Sequence, residues 1–112
     1  MAEEISFEDF LKVDIRMGTI LEVKDFPKAR KPAYQLLIDF GDLGVKTSSA
    51  QITDLYTKAQ LAGRQVTAIV NFAPRQIANF SSECLVLGIY NTESKVVLLQ
   101  ASKSIKNGAP IN

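Results

Sequence analysis

The sequence predicts an all-β fold: a five-stranded Greek-key barrel with a short N-terminal helix and additional C-terminal strands. Two observations carry this. Apolar and polar residues alternate with period two from Val13 to Lys24 and again from Tyr34 to Phe40, and further short strand-like runs follow. One short helical stretch falls between the third and fourth alternating runs, and Gly- and Pro-bearing turns separate the others.

Ser6-Phe7-Glu8-Asp9 has N-cap and capping-box spacing, and Phe7, Phe10 and Leu11 share a face, so a helix is expected over 7–12. From Val13 the period becomes two. Ile15, Met17, Thr19, Leu21 and Val23 fall on one side of a strand, and Asp14, Arg16, Glu22 and Lys24 on the other. Gly18 interrupts that strand, which predicts a bend or bulge there. Residues 24–32 hold four basic residues and two prolines and read as a loop. Tyr34, Leu36, Ile38 and Phe40 alternate as a second strand, and Gly41–Gly44 turns into a third over 45–49. Residues 53–63 read as helical turns, with capping-box spacing from Thr57 to Gln60 and Gly63 as terminator. Further strands are expected over 65–71, 83–90 and 95–101, with a long loop over 71–83 and an irregular strap over 102–112. Strand, strand, strand, helix, strand is the order of the OB-fold. The length fits one domain spanning 1–112.

Composition excludes several functions. The net charge of +1 provides no global field toward nucleic acid or membrane. There is no histidine, so the commonest general base and metal ligand are missing. The single cysteine, Cys84, lies in an apolar run and reads as a small buried hydrophobe. No disulfide, metal site or cofactor is expected, and the chain is not expected to be an enzyme. The acidic N-terminus lacks the pattern of a signal peptide, and no apolar run is long enough to span a membrane. A cytoplasmic protein without membrane insertion is expected.

The polar residues point to a binding surface. Lys46, Ser48, Ser49 and Gln51 crowd the end of the third strand, and Asn71 and Arg75 follow the fourth. They are expected to line one mouth of the barrel, with Lys28, Arg30 and Lys31 near its edge, because OB-fold ligands lie across strands two and three. Each feature has a second reading. The serines also cap backbone, the basic loop also suits plain solvation, and Arg75 also suits an ion pair with Glu83. Phe26, Phe72 and Phe80 read either as apolar surface at the mouth or as loop anchors. Strands apolar on both faces, at 85–90 and 96–99, and the apolar helix face exceed what one small barrel hides and predict a homodimer.

The segments FEDFLKVDIRMGTILEV, KTSSAQIT and NFAPRQIANFSSECLVLG, with the intervening PKARKPAY loop, resemble the CsaA family of cytoplasmic chaperones over nearly the whole chain. The wider superfamily includes tRNA-binding domains of methionyl-tRNA synthetases. The resemblance implies a homodimeric OB-fold that binds unfolded precursor proteins for export, with the translocation ATPase as a further partner. It also implies apolar peptide cavities rimmed by basic residues. Asn71 and Arg75 match the superfamily's N-x-x-P-R pattern. Where tRNA-binding relatives carry Ser-x-Gly-Met, this chain has Ser82-Glu83-Cys84-Leu85. That departure weighs against tRNA as the ligand and leaves a trans-acting tRNA-binding module as the alternative.

Overall fold

The computed structural model describes residues 1–111. Asn112, the last residue of the expected strap, lies outside the described residues. Helix α1 (Phe7–Leu11) begins where Ser6 caps it, its hydroxyl accepting the Asp9 N–H at 3.0 Å. No side chain of α1 is buried. Asn71 holds the helix exit against the barrel: its Oδ1 accepts the Asp14 N–H at 3.0 Å and its Nδ2 donates to the Lys12 carbonyl at 2.7 Å.

β1 (Ile15–Asp25) is long enough to serve two neighbours. Its first half pairs with β4 (Gln65–Ile69) and its second with β2 (Tyr34–Asp39), both antiparallel. β3 (Val45–Ala50) pairs with β2, and β7 (Leu85–Val86) pairs with β4. The sheet order β3-β2-β1-β4-β7 curls into a nearly closed barrel, as the sequence predicts. Between β3 and β4, helix α2 (Lys58–Leu61) has the expected capping box between Thr57 and Gln60. Gly63 ends it at φ +83°. The core is Ile20, Leu36, Ile38, Phe40, Leu61, Val66 and Ala68, with Cys84 and Leu98 at its margin.

Four expectations are corrected. The bulge in β1 lies at Leu21, where the register shifts between Ile20 and Glu22, not at Gly18. Gly18 is instead a point of close packing: a Cβ there would lie 2.6 Å from Ile38 Cγ2 and 2.7 Å from Phe40 Cε1. Ile20 is therefore fully buried and Leu21 faces outward. The expected loop over 71–83 contains a hairpin, β5 (Arg75–Ile77) and β6 (Phe80–Ser82), turning through Ala78 at φ 51°. The expected strand over 83–90 divides into β7 and β8 (Gly88–Tyr90), the latter pairing with β9 (Val96–Leu98) in a separate hairpin. The strands expected over 65–71 and 95–101 are shorter, ending at Ile69 and Leu98, with Val70 and Leu99 each adding one further in-register backbone bond, to Asp14 and Leu87. The strap lies along β1, with Met17 and Ala109 and then Ile111 and Ile15 joined through backbone.

The barrel closes between β3 and residues 81–84 largely through side chains, with few ladder bonds. The Glu83 N–H donates to the Thr47 carbonyl at 2.8 Å. The Thr47 N–H donates to Glu83 Oε1 at 3.0 Å, and the single Thr47 hydroxyl proton serves Glu83 Oε1 at 2.9 Å or the Ser81 carbonyl at 2.6 Å. Ser48, fully buried, donates to the Cys84 carbonyl at 2.9 Å, and Ser82 Oγ accepts the Ser49 N–H at 3.0 Å. A seam of this kind satisfies polar groups that the missing strand neighbour would otherwise leave bare.

The seam has an acid limit. Thr47 holds the Glu83 carboxyl below its ordinary value of 4.5, first through its N–H and then through its hydroxyl. A carboxyl depressed in the folded state stabilises fully above its unfolded value and loses that contribution as pH falls through the lower folded value. Melting followed from pH 7 to pH 3 should therefore drop less in Glu83→Gln than in the wild-type chain. Parallel curves would remove the carboxylate from the seam.

Cys84 gives a second check. Burial pushes its thiol up to about 11. At pH 8 the native protein should react with a thiol reagent about two orders of magnitude more slowly than the denatured chain, since the thiolate is the nucleophile. Equal rates would place the thiol at the surface. No helix among the described residues is long and apolar enough to cross a membrane, and no acidic or cysteine cluster among them is placed to hold a metal ion.

Candidate functional site

The hairpin β5–β6 stands against the outer side of β3 because Phe80 leans on Phe26, edge to face at 5.4 Å. This leaves a cavity of about 650 Å³ bounded by the end of β3, the hairpin and the β7–β9 region. Ser49, Ala50, Gln51 and Ile52 form one wall. Phe72, Ala73, Arg75 and Ile77 form the second, and Leu85, Val86, Tyr90 and Val96 the third. Ser82, Glu83 and Cys84 lie between them. The lining mixes apolar surface with one cation and one anion, a composition suited to an amphipathic ligand.

Three of the sequence-predicted residues meet here: Ser49, Gln51 and Arg75. Arg75 is exposed and lies opposite Ser82 across the hairpin. It forms no ion pair or side-chain hydrogen bond among the described residues, so the pairing with Glu83 is not made. Its guanidinium is available to a carboxylate, a carbonyl or a phosphate.

The other predicted residues lie elsewhere. Ser48 points into the core as part of the seam. Asn71 is occupied at the helix exit. Lys46, half-buried, sits opposite Ile38 toward the far end of β3 and is not in the lining. Lys28, Arg30 and Lys31 also stay outside the lining. All three are exposed, and none enters an ion pair among the described residues. Their loop ends at Tyr34, which pairs with Ala50, and Phe26 anchors its start to the hairpin, so it flanks the cavity. Phe26 and Phe80 are thus loop anchors, whereas Phe72, 55% exposed, presents apolar surface.

Sequence reasoning missed Ile77, Val86, Tyr90 and Val96. Val86, Tyr90 and Val96 fall in expected strands and Ile77 in the expected loop, but the change of partner at Leu87 was not visible: its N–H donates to the Thr67 carbonyl at 2.9 Å as the last bond of β7 to β4, and β8 then pairs with β9. A second depression, about 430 Å³ and nearly all apolar, lies across the barrel between Met17, Leu99, Ile105 and Ile111.

Comparison with known proteins agrees with this architecture. Residues 15–110 match the family described as a putative tRNA binding domain. The chaperone CsaA of Bacillus anthracis is 48% identical and superimposes with a TM-score of 0.92, covering 98% of this chain and 100% of that one. The CsaA chaperone protein of Picrophilus torridus is 50% identical, also at 0.92, covering 97% and 100%. A methionine–tRNA ligase of Flavobacterium johnsoniae is 37% identical over 108 residues. That match takes in 96% of this chain but only 15% of the ligase, so the likeness is to a small part of that enzyme. This chain belongs to the tRNA-binding-domain family, and within it to the CsaA proteins.

Proposed function

We propose that this chain is a non-enzymatic chaperone that holds unfolded segments of exported precursor polypeptides in the cavity between β3 and the β5–β6 hairpin. The observation that carries the reading is that cavity: Phe72, Ile77 and Val86 offer apolar surface beside Arg75, which has no ion-pair partner among the described residues. An extended segment lays apolar side chains on that surface and a backbone carbonyl against the guanidinium. The CsaA relatives, described as chaperones, support the same reading. Export, delivery to the translocation ATPase and a cytoplasmic location belong to this proposal. Titration with a reduced, alkylated, permanently unfolded polypeptide should give a saturable complex. No binding at tens of micromolar would remove the reading.

A second reading, a trans-acting tRNA-binding module, is favoured by the family match and by exposed Lys28, Arg30 and Lys31, which enter no ion pair among the described residues. Phosphate backbone suits such a loop.

We infer further that the active form is a two-fold homodimer. Phe7 and Leu11 are 66% and 59% exposed, and Leu99, Ile105 and Ile111 stand open around the apolar depression. Joining two copies there hides about 800 Å² per partner, ordinary for a stable dimer, and doubles the cavities for a long substrate. Sedimentation at micromolar concentration should give twice the 12.3 kDa chain mass. A single species at the chain mass would contradict it.

A further inference from the structure

The outer edge of β3 is filled in steps, and the last step is open. In an antiparallel strand, neighbouring residues turn their N–H and carbonyl groups to opposite sides. Thr47 and Ser49 turn theirs away from β2. Thr47 gives its N–H to Glu83 Oε1 at 3.0 Å, and its carbonyl takes the Glu83 N–H at 2.8 Å. Ser49 gives its N–H to Ser82 Oγ at 3.0 Å. Ala50 turns the other way and pairs with Tyr34.

Gln51 is the next residue in this alternation, one past the end of β3. It is exposed, and neither its N–H nor its carbonyl has a hydrogen-bond partner among the described residues. The Ser49 carbonyl is nearly as open. Among the described residues beyond β2 it is approached only by the Ser48 hydroxyl at 3.5 Å, which is already given to the Cys84 carbonyl at 2.9 Å. Ser49 and Gln51 both belong to the cavity wall, and Arg75, paired with Ser82 across the hairpin, lines the same cavity. The edge that residues 81–84 close from below therefore runs on, unpaired, into the space beside Arg75. Exposed strand edges of this kind are templates for another extended chain.

We propose that the cavity takes its polypeptide as an added β-strand, paired through its main chain with Gln51 and the Ser49 carbonyl. One residue of an antiparallel strand both gives an N–H and accepts one, which is what Gln51 lacks. Side chains of an extended segment alternate, so every second one falls on Phe72, Ile77 and Val86 and the others face solvent. The inference rests on the polypeptide-binding reading and names its substrate class: segments that lie extended, with apolar residues at alternate positions. A helical segment has spent its main-chain groups internally, and proline at the paired position has no N–H to give.

The experiment is amide hydrogen exchange on the full chain, alone and saturated with the reduced, alkylated, unfolded polypeptide. In the free protein the Gln51 amide should exchange freely, whereas that of Ala50, held in the β2–β3 ladder, should be slow. In the complex the Gln51 amide should slow by about tenfold or more, the mark of a new main-chain bond. Gln51→Pro removes this one donor, which has no partner among the described residues, so melting should hold while polypeptide affinity falls about tenfold. A short blocked peptide alternating valine and serine should compete with the polypeptide, and the same peptide with proline in place of each serine should not. A saturable complex in which Gln51 exchanges as before would overturn this inference and leave the apolar cavity reading standing. No complex at all would remove both. A Gln51→Pro that melts early hands the decision to the exchange measurement, which needs no variant.

Discussion

Phe40→Ala is expected to destabilise the barrel by about 3–5 kcal/mol, a large part of what holds a domain of this size. Phe40 is fully buried at the end of β2 and packs directly over Gly18 of β1. Its ring stands 2.7 Å from where a Gly18 Cβ would be. Gly18→Ala is therefore expected to cost about 1–3 kcal/mol by overpacking, although alanine is otherwise no worse in a strand. The two changes should not add. With the ring gone, the methyl introduced by Gly18→Ala loses one of its two close neighbours and keeps the other, Ile38 Cγ2 at 2.6 Å, so the double variant should recover on the order of 1 kcal/mol relative to the sum. Urea unfolding of the four proteins checks this. A silent Gly18→Ala would mean that Gly18 is not needed for close approach, and strict additivity would mean that Ile38, not Phe40, sets that need.

Arg75→Ala is expected to weaken polypeptide binding by about 1–3 kcal/mol, the range for a charge-assisted hydrogen bond in a sheltered site. Arg75→Lys should recover part of the loss, because the positive charge remains and the planar fork does not. Arg75 has no partner among the described residues, so melting should be the same in all three proteins. That contrast separates a ligand contact from a structural one. A fall in melting temperature with affinity intact would assign Arg75 to the fold.

Local chemistry was legible in the sequence. The Ser6 cap and the Thr57–Gln60 box act within one turn, so nothing distant overrides them. The alternation of Leu36, Ile38 and Phe40 survived because β2 is flanked on both sides, by β1 and β3, and has one fixed core face. Gly18 misled because a strand glycine signals either a bulge or a close approach, and only its neighbour Phe40 decides which. The unbroken parity from Ile15 to Val23 put Leu21 on the expected inner face, whereas the core takes Ile20 before the register shift and Val23 after it. The β5–β6 hairpin was hidden because its turn uses Ala78 at φ 51° and no glycine.

The candidate site was legible only in part, for one physical reason. Polar density on β3 serves two purposes that look alike in sequence. Ser48 closes the barrel against Cys84, whereas Ser49 and Gln51 open onto the cavity. Adjacent residues on a strand face opposite ways, so the run SSAQ divides by parity. Which parity faces the core depends on the β2–β3 register, in which Leu36 lies opposite Ser48.

The central claim is that the cavity takes polypeptide by apolar contact aided by Arg75. Its most direct test is to titrate an unfolded signal-bearing polypeptide and tRNA side by side, each at about 50 mM and about 200 mM salt. The account predicts a polypeptide complex whose affinity changes little between the two salts and is weakened by Arg75→Ala. Tight tRNA binding with a steep salt dependence, together with no measurable polypeptide binding, would contradict it and leave the RNA module as the function of this chain.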